Sequence, residues 1–261
     1  MEISSIVVVL LVTFCAGGVN ALAGGGTAIS YPGFVFAGLP DKIANATNAL
    51  ALVPGSLGGA YSFRLELKPQ LKRLVVFLIP AVIGSLIGAS VLTVSSGDTF
   101  RKIVPFLVLL ATILFAFSKR ITDWARTLGQ GNTTASGEIS RVGYGIGAVA
   151  QFVIAFYGGY FGAGMGILML SMMSILGMTD LRKMNALKNV LAAAINATAV
   201  VRFYANGNIN LAFGLVGAVG ALAGGYIMGR LAKRIPTTYV RGFVIVFGCV
   251  ATTWLLYRAF A

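Results

Sequence analysis

Lys188 and the asparagines Asn45, Asn48, Asn185 and Asn189 are the residues of this 261-residue chain whose types and spacing can do chemistry. Each lies in a stretch that is otherwise apolar. An ammonium and an amide NH2 are hydrogen-bond donors suited to the oxygens of an oxyanion. Between Gly177 and Asn196, the residues Asn185, Lys188, Asn189 and Asn196 are spaced so that a helix carries them on one stripe. With a rise of ~1.5 Å per residue, Lys188 lies roughly 12 Å beyond Asp180. The hydrocarbon core of a bilayer is only ~30 Å thick. A lysine at that depth costs on the order of 2.5–3.5 kcal/mol unless it meets a partner or water. The same helix offers no acid within a turn or two, so an anion from outside the chain is a candidate partner; snorkelling to the surface is the alternative.

Further donors come in pairs. Glycine-rich breaks at Gly24-Gly25-Gly26 and Gly162-Ala163-Gly164-Met165-Gly166 each precede a short apolar segment. A helix that starts after a break points unpaired N–H groups and a partial positive charge at whatever lies before it, and anions bind there. Gly24, Gly25, Gly26, Thr27, Gly164 and Gly166 therefore join the candidate site, and Ser30, Thr47 and Tyr157 can add hydroxyls. The pairing extends along the chain. Gly24 and Gly164, Asn45 and Asn185, and Arg101 and Arg241 are each 140 residues apart, while Asp41 and Asp180 differ by 139 and Asn48 and Asn189 by 141. A nearly constant offset over several segments argues for an internal duplication. At an offset of 140, Asn48 corresponds to Lys188, so one half carries a neutral amide where the other carries a charge.

The elements that position these residues are membrane helices. The chain is 57% hydrophobic and 10% charged, with a mean hydropathy of +0.89; soluble domains carry about 25% charged residues. Apolar segments fall near 3–23, 27–39, 43–63, 74–96, 100–118, 142–162, 164–178, 184–204, 209–229 and 238–257, five per half, with the second and seventh short. The expected fold is an all-α polytopic membrane protein of two inverted repeats, 1–118 and 141–261, joined by a cytoplasmic linker at 119–140. An odd number of segments per half inverts the second repeat. With all ten crossing, fourteen of the twenty basic residues fall on one side and five on the other, with Lys188 interior. The positive-inside rule makes the richer side cytoplasmic. Eight full spans with two re-entrant pieces form the rival topology. Glycines of the fourth and ninth segments, Gly84 and Gly88, and Gly217, Gly220, Gly224, Gly225 and Gly229, read as sites of close helix packing.

Several functions are disfavoured by what is missing. All seven acids lie in loops or at segment ends and there is no histidine, so the intramembrane relays of many proton pumps are absent. No metal-ligand spacing occurs, no cofactor is expected, and nothing marks an enzyme. Cys15 and Cys249 read as small buried hydrophobes. The net charge of +13 is spread over loops and serves topology rather than nucleic-acid binding. The expected partners are a small anionic substrate and the lipid bilayer; the oligomeric state stays open. Asp41 and Asp180 stand at helix starts, where capping and pairing with the helix dipole explain them, with a gating role as the alternative, and Arg101 and Arg241 read as interfacial anchors.

The openings Gly-Gly-Gly-Thr-Ala-Ile-Ser-Tyr-Pro and Phe-Gly-Ala-Gly-Met-Gly-Ile-Leu are followed by Gly-Leu-Pro-Asp-Lys-Ile-Ala-Asn-Ala-Thr-Asn and Gly-Met-Thr-Asp-Leu-Arg-Lys-Met-Asn-Ala-Leu-Lys-Asn. Over essentially its whole length the chain resembles the sulfite exporter TauE/SafE family, also called TSUP or DUF81. That resemblance implies transport of small sulfur-containing anions, sulfite and organosulfonates among them, across the bacterial inner membrane. The expectation is a secondary transporter working by alternating access, most simply an exporter, with a passive anion channel of similar selectivity as the alternative.

Overall fold

A computed structural model of the chain describes residues 2–22, 24–128, 139–231 and 237–260, without the side chains of 237–240. Each apolar segment is a helix, as a bilayer requires of backbone that has no water to bond to. In order these are α1 (Ile3–Leu22), α2 (Thr27–Phe36), α3 (Asp41–Ser62), the single turn α4 (Arg64–Leu67), α5 (Leu71–Val94), α6 (Gly97–Leu128), α7 (Arg141–Tyr160), α8 (Met165–Ile175), α9 (Leu181–Ala205), α10 (Leu211–Leu231) and α11 (Thr237–Phe260). Seven helical stretches among the described residues are long and apolar enough to cross a membrane. The 22-residue α3 is long enough, but Asn45, Thr47 and Asn48 dilute its hydropathy. The protein is a multi-pass, all-α membrane protein.

The half-length helices α2 and α8 have 10 and 11 residues. At ~1.5 Å per residue each reaches about half-way through a ~30 Å core. They nonetheless return the chain to the end from which the preceding helix set out. At one end, Lys42 donates to the carbonyls of Thr93 and Ser95, Arg258 pairs with Asp41, and Arg101 donates to the Arg258 carbonyl. At the other, Arg182 pairs with Glu66, and Ser62 donates to the Tyr226 carbonyl. The ten-segment order is therefore kept, while α2 and α8 start from breaks recessed into the protein.

The halves interlock. α1 packs on α10 and α7 on α5; α3 packs on α10 and α9 on α5; α6 packs on α8 and α11 on α2. Exchanging the halves maps this pattern onto itself. The glycines of α5 and α10 act as the sequence suggests: a β-carbon on Gly84 or Gly88 would overlap carbonyls of α7, and one on Gly224 a carbonyl of α1. The largest difference from the sequence reading lies at the linker. No loop starts at residue 119; α6 runs on to Leu128. Residues 119–128 contain good helix formers and neither glycine nor proline, and an Asp123–Arg126 pair sits one turn apart. The rest of the expected linker, 129–138, lies outside the described residues.

Candidate functional site

The two glycine breaks meet inside the protein. Beyond Leu22 the chain turns through Gly24 and Gly25, at φ of 80° and 115°, and folds back along α1, so that Gly26 sits against Ala16. In the other half, Gly162 and Gly164 adopt φ of 81° and 79° between α7 and α8. Side chains rarely adopt such angles, which explains glycine at these turns. Gly24 and Gly166 touch so closely that a β-carbon on Gly24 would overlap the Gly166 backbone. Both breaks rest on one stretch of α6: the Phe115 ring covers Gly25, and a β-carbon on Gly164 would lie 3.3–3.5 Å from Leu114 and Ala111.

Beside this junction stands α9, the most enclosed of the seven long apolar stretches, with 61% of an 18-residue apolar stretch buried against 39% or less in the others. Lys188 is 1% exposed. Its Nζ donates to the Asn20 carbonyl at 2.7 Å and to Asn185 Oδ1 at 2.7 Å, with the Ala21 carbonyl at 3.5 Å. Asn189 Nδ2 donates to the same Ala21 carbonyl at 3.4 Å. The sequence left the partner of Lys188 to be found. Part of the answer is the last turn of α1, whose carbonyls lack helical donors and form the negative end of that helix. The amine does not snorkel.

The other half repeats the device without charge. Asn45 Nδ2 donates at 3.0 Å to the carbonyl of Tyr160, the last residue of α7 and the counterpart of Asn20. Each half thus braces the end of the other's first helix, one with an ammonium and an amide, one with an amide alone. Asn48 lies a turn further along α3, where its Oδ1 accepts from Ser30 Oγ at 2.5 Å.

One residue of the site was missed in the sequence. Asn20 Oδ1 accepts from the N–H groups of Gly25 and Gly26, at 2.9 and 2.7 Å, so two donors assigned to a ligand already have a partner. Its signal was an amide within six residues of a glycine run. Tyr160 cannot do the same, and the start of α8 at Gly164 has no side-chain cap. Tyr157 instead donates its hydroxyl to the Ala163 carbonyl at 2.6 Å.

The structure brings together Gly24, Gly25, Gly26, Gly164 and Gly166 with Asn185, Lys188 and Asn189, and buries Thr27 at the start of α2, while on α3 Asn45 holds α7 of the other half and Asn48 holds α2 of its own. Thr47 is tied to the start of α10: its hydroxyl accepts from the Asn210 N–H at 3.0 Å. Asn196 is buried, and its Nδ2 has no partner among the described residues. Asp180 caps α9 as its position predicts, accepting from the N–H groups of Arg182 and Lys183. Asp41 does not cap α3. Its carboxylate accepts from the Tyr31 hydroxyl at 2.8 Å and from Arg258 at 3.1 Å, which draws it away from the helix start. Among the described residues no cluster of three or more His, Cys, Asp or Glu could hold a metal ion. The arrangement offers buried donors beside broken backbone, which suits an anion.

Comparison with known proteins finds membrane transporters along nearly the whole chain. A family model described as sulfite exporter TauE/SafE matches residues 9–255. A probable membrane transporter protein of Haemophilus influenzae is 26% identical over 257 residues, covering 98% of this chain and 96% of that protein. The probable membrane transporter protein YfcA of Escherichia coli is 26% identical over 253 residues, 96% and 89% of the two chains. YunE of Bacillus subtilis, with the same description, is 24% identical over 94% and 96% of the two chains.

Proposed function

The chain belongs to the sulfite exporter TauE/SafE family of membrane transporters, and from that premise we propose that it carries a small sulfur oxyanion, sulfite or an organosulfonate, outward across the membrane by alternating access. The observation that carries this reading is the contact between the two breaks beside a buried ammonium. Transporters built from inverted repeats bind their substrates near the midplane, between discontinuous helices in corresponding positions. The two halves are such repeats, and the basic-rich end faces the cytoplasm.

The bracket on α1 supplies the link from binding to movement. An oxyanion at the junction replaces the Asn20 and Ala21 carbonyls as acceptor for Lys188 Nζ. Those carbonyls end α1, so the exchange loosens α1 from α9. In the other bracket of the junction Asn45 keeps its hold on α7, and the two halves move unequally. The pathway then opens on one side as it closes on the other.

The test is calorimetric titration of the purified protein with sulfite, organosulfonates, carboxylates and phosphate, beside the Lys188→Met variant. Sulfur oxyanions are expected to bind best. The variant, which keeps the side-chain length, is expected to bind them about 10- to 100-fold more weakly, the worth of one charge-assisted hydrogen bond of ~1.5–3 kcal/mol. Unchanged affinity in a folded Lys188→Met protein removes the lysine from the site. In proteoliposomes flux should saturate and show counterflow; linear flux without counterflow would identify a channel instead.

A further inference from the structure

An open groove lies on the outer face of the helix pair α3 and α10. Gly58 lets these helices approach closely: a β-carbon there would press on the Leu222 carbonyl at 3.1 Å and the Tyr226 N–H at 3.2 Å. The approach leaves an outward-facing groove of about 630 Å³. Its walls are Leu57, Gly58 and Tyr61 on α3, and Val219, Leu222 and Tyr226 on α10. Leu57, Tyr61 and Val219 are about half exposed or more, so the groove opens to the surroundings of the protein, which at this depth are lipid. From Tyr226 to Val219 it runs about 10 Å along α10, within one leaflet of a ~30 Å core.

The mouth of the groove is basic. The rings of Tyr61 and Tyr226 lie 6.2 Å apart. Arg64 stacks on the first, its Cζ 4.3 Å from the ring centre, and Arg230 on the second at 5.2 Å, while donating to the Tyr226 hydroxyl at 2.7 Å. Both arginines are exposed, and among the described residues neither pairs with a carboxylate. Glu66, the acid closest in sequence to Arg64, is held by Arg182. Arg182 and Arg258 show what an arginine of this protein does when an acid is in reach. The mouth therefore presents two uncompensated guanidiniums, whose planar forks match phosphate oxygens. An apolar furrow leads away from them.

We infer that this groove seats an acyl chain of an anionic phospholipid whose phosphate is held by Arg64 and Arg230. The cytoplasmic leaflet is rich in such lipids, and basic pockets between membrane helices on that side hold their headgroups. Tyrosine is the residue enriched at that depth. The site backs directly onto the junction. Gly58 faces the groove, while the adjacent Gly59 packs against Ala21 and the Asn189 side chain, so a lipid that clamps α3 to α10 also steadies the bracket on α1.

The experiment is thermal unfolding of the full-length protein in detergent, titrated with dioleoyl phosphatidylglycerol, dioleoyl phosphatidylcholine or inorganic phosphate. Phosphatidylglycerol is expected to raise the melting temperature, with the other two leaving it unchanged. Arg64→Gln with Arg230→Gln should weaken the phosphatidylglycerol response about thirtyfold, the factor for two cationic contacts at the membrane surface, while the melting temperature in detergent alone stays put. Val219→Trp, which fills the furrow and spares both arginines, should weaken it as well. Equal responses to the two lipids, or a response to phosphate alone, would overturn the assignment. So would a phosphatidylglycerol response that survives Val219→Trp, or cross-linking of Val219→Cys into a dimer that excludes lipid, which would make the occupant a second copy.

Discussion

The two halves solve one problem with different residues. Each ends its first helix at a glycine break, and each has that end held by the third helix of the other half. At the end of α1 the holders are Lys188 and Asn189, and the break itself is tied down by the Asn20 side chain. At the end of α7 the holder is Asn45, and Tyr160 stands where Asn20 would be. The frame is shared and the charge is not. Duplication accounts for the helices, the breaks and the interlocked packing. The chemistry rests on a few departures from symmetry, chiefly Lys188 against Asn48 and Asn20 against Tyr160. A perfectly symmetric pair would favour neither helix end; in the function we propose, a bound anion competes for the ammonium at α1 only.

The breaks give the largest expected difference. Gly24 and Gly164 have nearly the same φ, 80° and 79°, but different surroundings. A side chain on Gly24 collides with the backbone of Gly166, whereas one on Gly164 meets Leu114 and Ala111 at 3.3–3.5 Å, ordinary or slightly tight contact. Gly24→Val should cost more than about 3 kcal/mol, combining left-handed strain with overpacking. Gly164→Ala should cost only the backbone term, ~1–2 kcal/mol. Yield of monodisperse protein and thermal unfolding measure both. Equal losses would mean that the breaks are equally tight and that the contact of Gly24 with Gly166 is not the pivot.

How much of this was legible beforehand follows from what each residue reports locally. Lys188 announced itself because a charge in an apolar run has no cheap explanation. The breaks announced themselves as glycine runs at a repeated offset. Their contact did not, because it depends on both resting on Ala111, Leu114 and Phe115 of α6, which are unremarkable apolar residues in the sequence. The partner of Lys188 on α1 was hidden for a related reason: it is a backbone carbonyl, which any residue supplies. Asp41 keeps the first-turn place that pairing with the helix dipole needs but does not cap, because only the fold brings Tyr31 and Arg258 within reach. Arg64 and Arg230 gave topology in the sequence; their shared groove needed α3 and α10 side by side.

Asn20 permits a sharper test. Its side chain accepts two N–H groups, so Asn20→Ala should destabilise by ~1–3 kcal/mol through donors left unpaired. Asn20→Asp keeps an acceptor for both and should restore most of that stability. It also adds a negative charge on the residue whose carbonyl lies 2.7 Å from Lys188 Nζ. A competing carboxylate on a residue that already touches the amine should reduce anion affinity about tenfold. Stability and affinity then move in opposite directions between the two variants, seen in paired unfolding and titration curves. If Asn20→Asp binds sulfite as the wild type does, Lys188 does not face the anion.

The smallest effect is expected at Asn45. Its amide makes one neutral bond, 3.0 Å long, to the Tyr160 carbonyl. Hydrogen bonds between membrane helices average ~0.6 kcal/mol by double-mutant cycles. Asn45→Ala should therefore change anion affinity by less than about threefold, because it loosens the bracket on α7 and removes no charge. The same substitution at Asn185 is expected to do more, since that amide carbonyl accepts directly from Lys188 Nζ at 2.7 Å and fixes where the ammonium points. Titrating the two variants side by side compares positions 140 residues apart in identical chemistry. A loss at Asn45 as large as that at Asn185 would show that both halves contact the anion alike, and the division between a charged half and a neutral one would have to be abandoned.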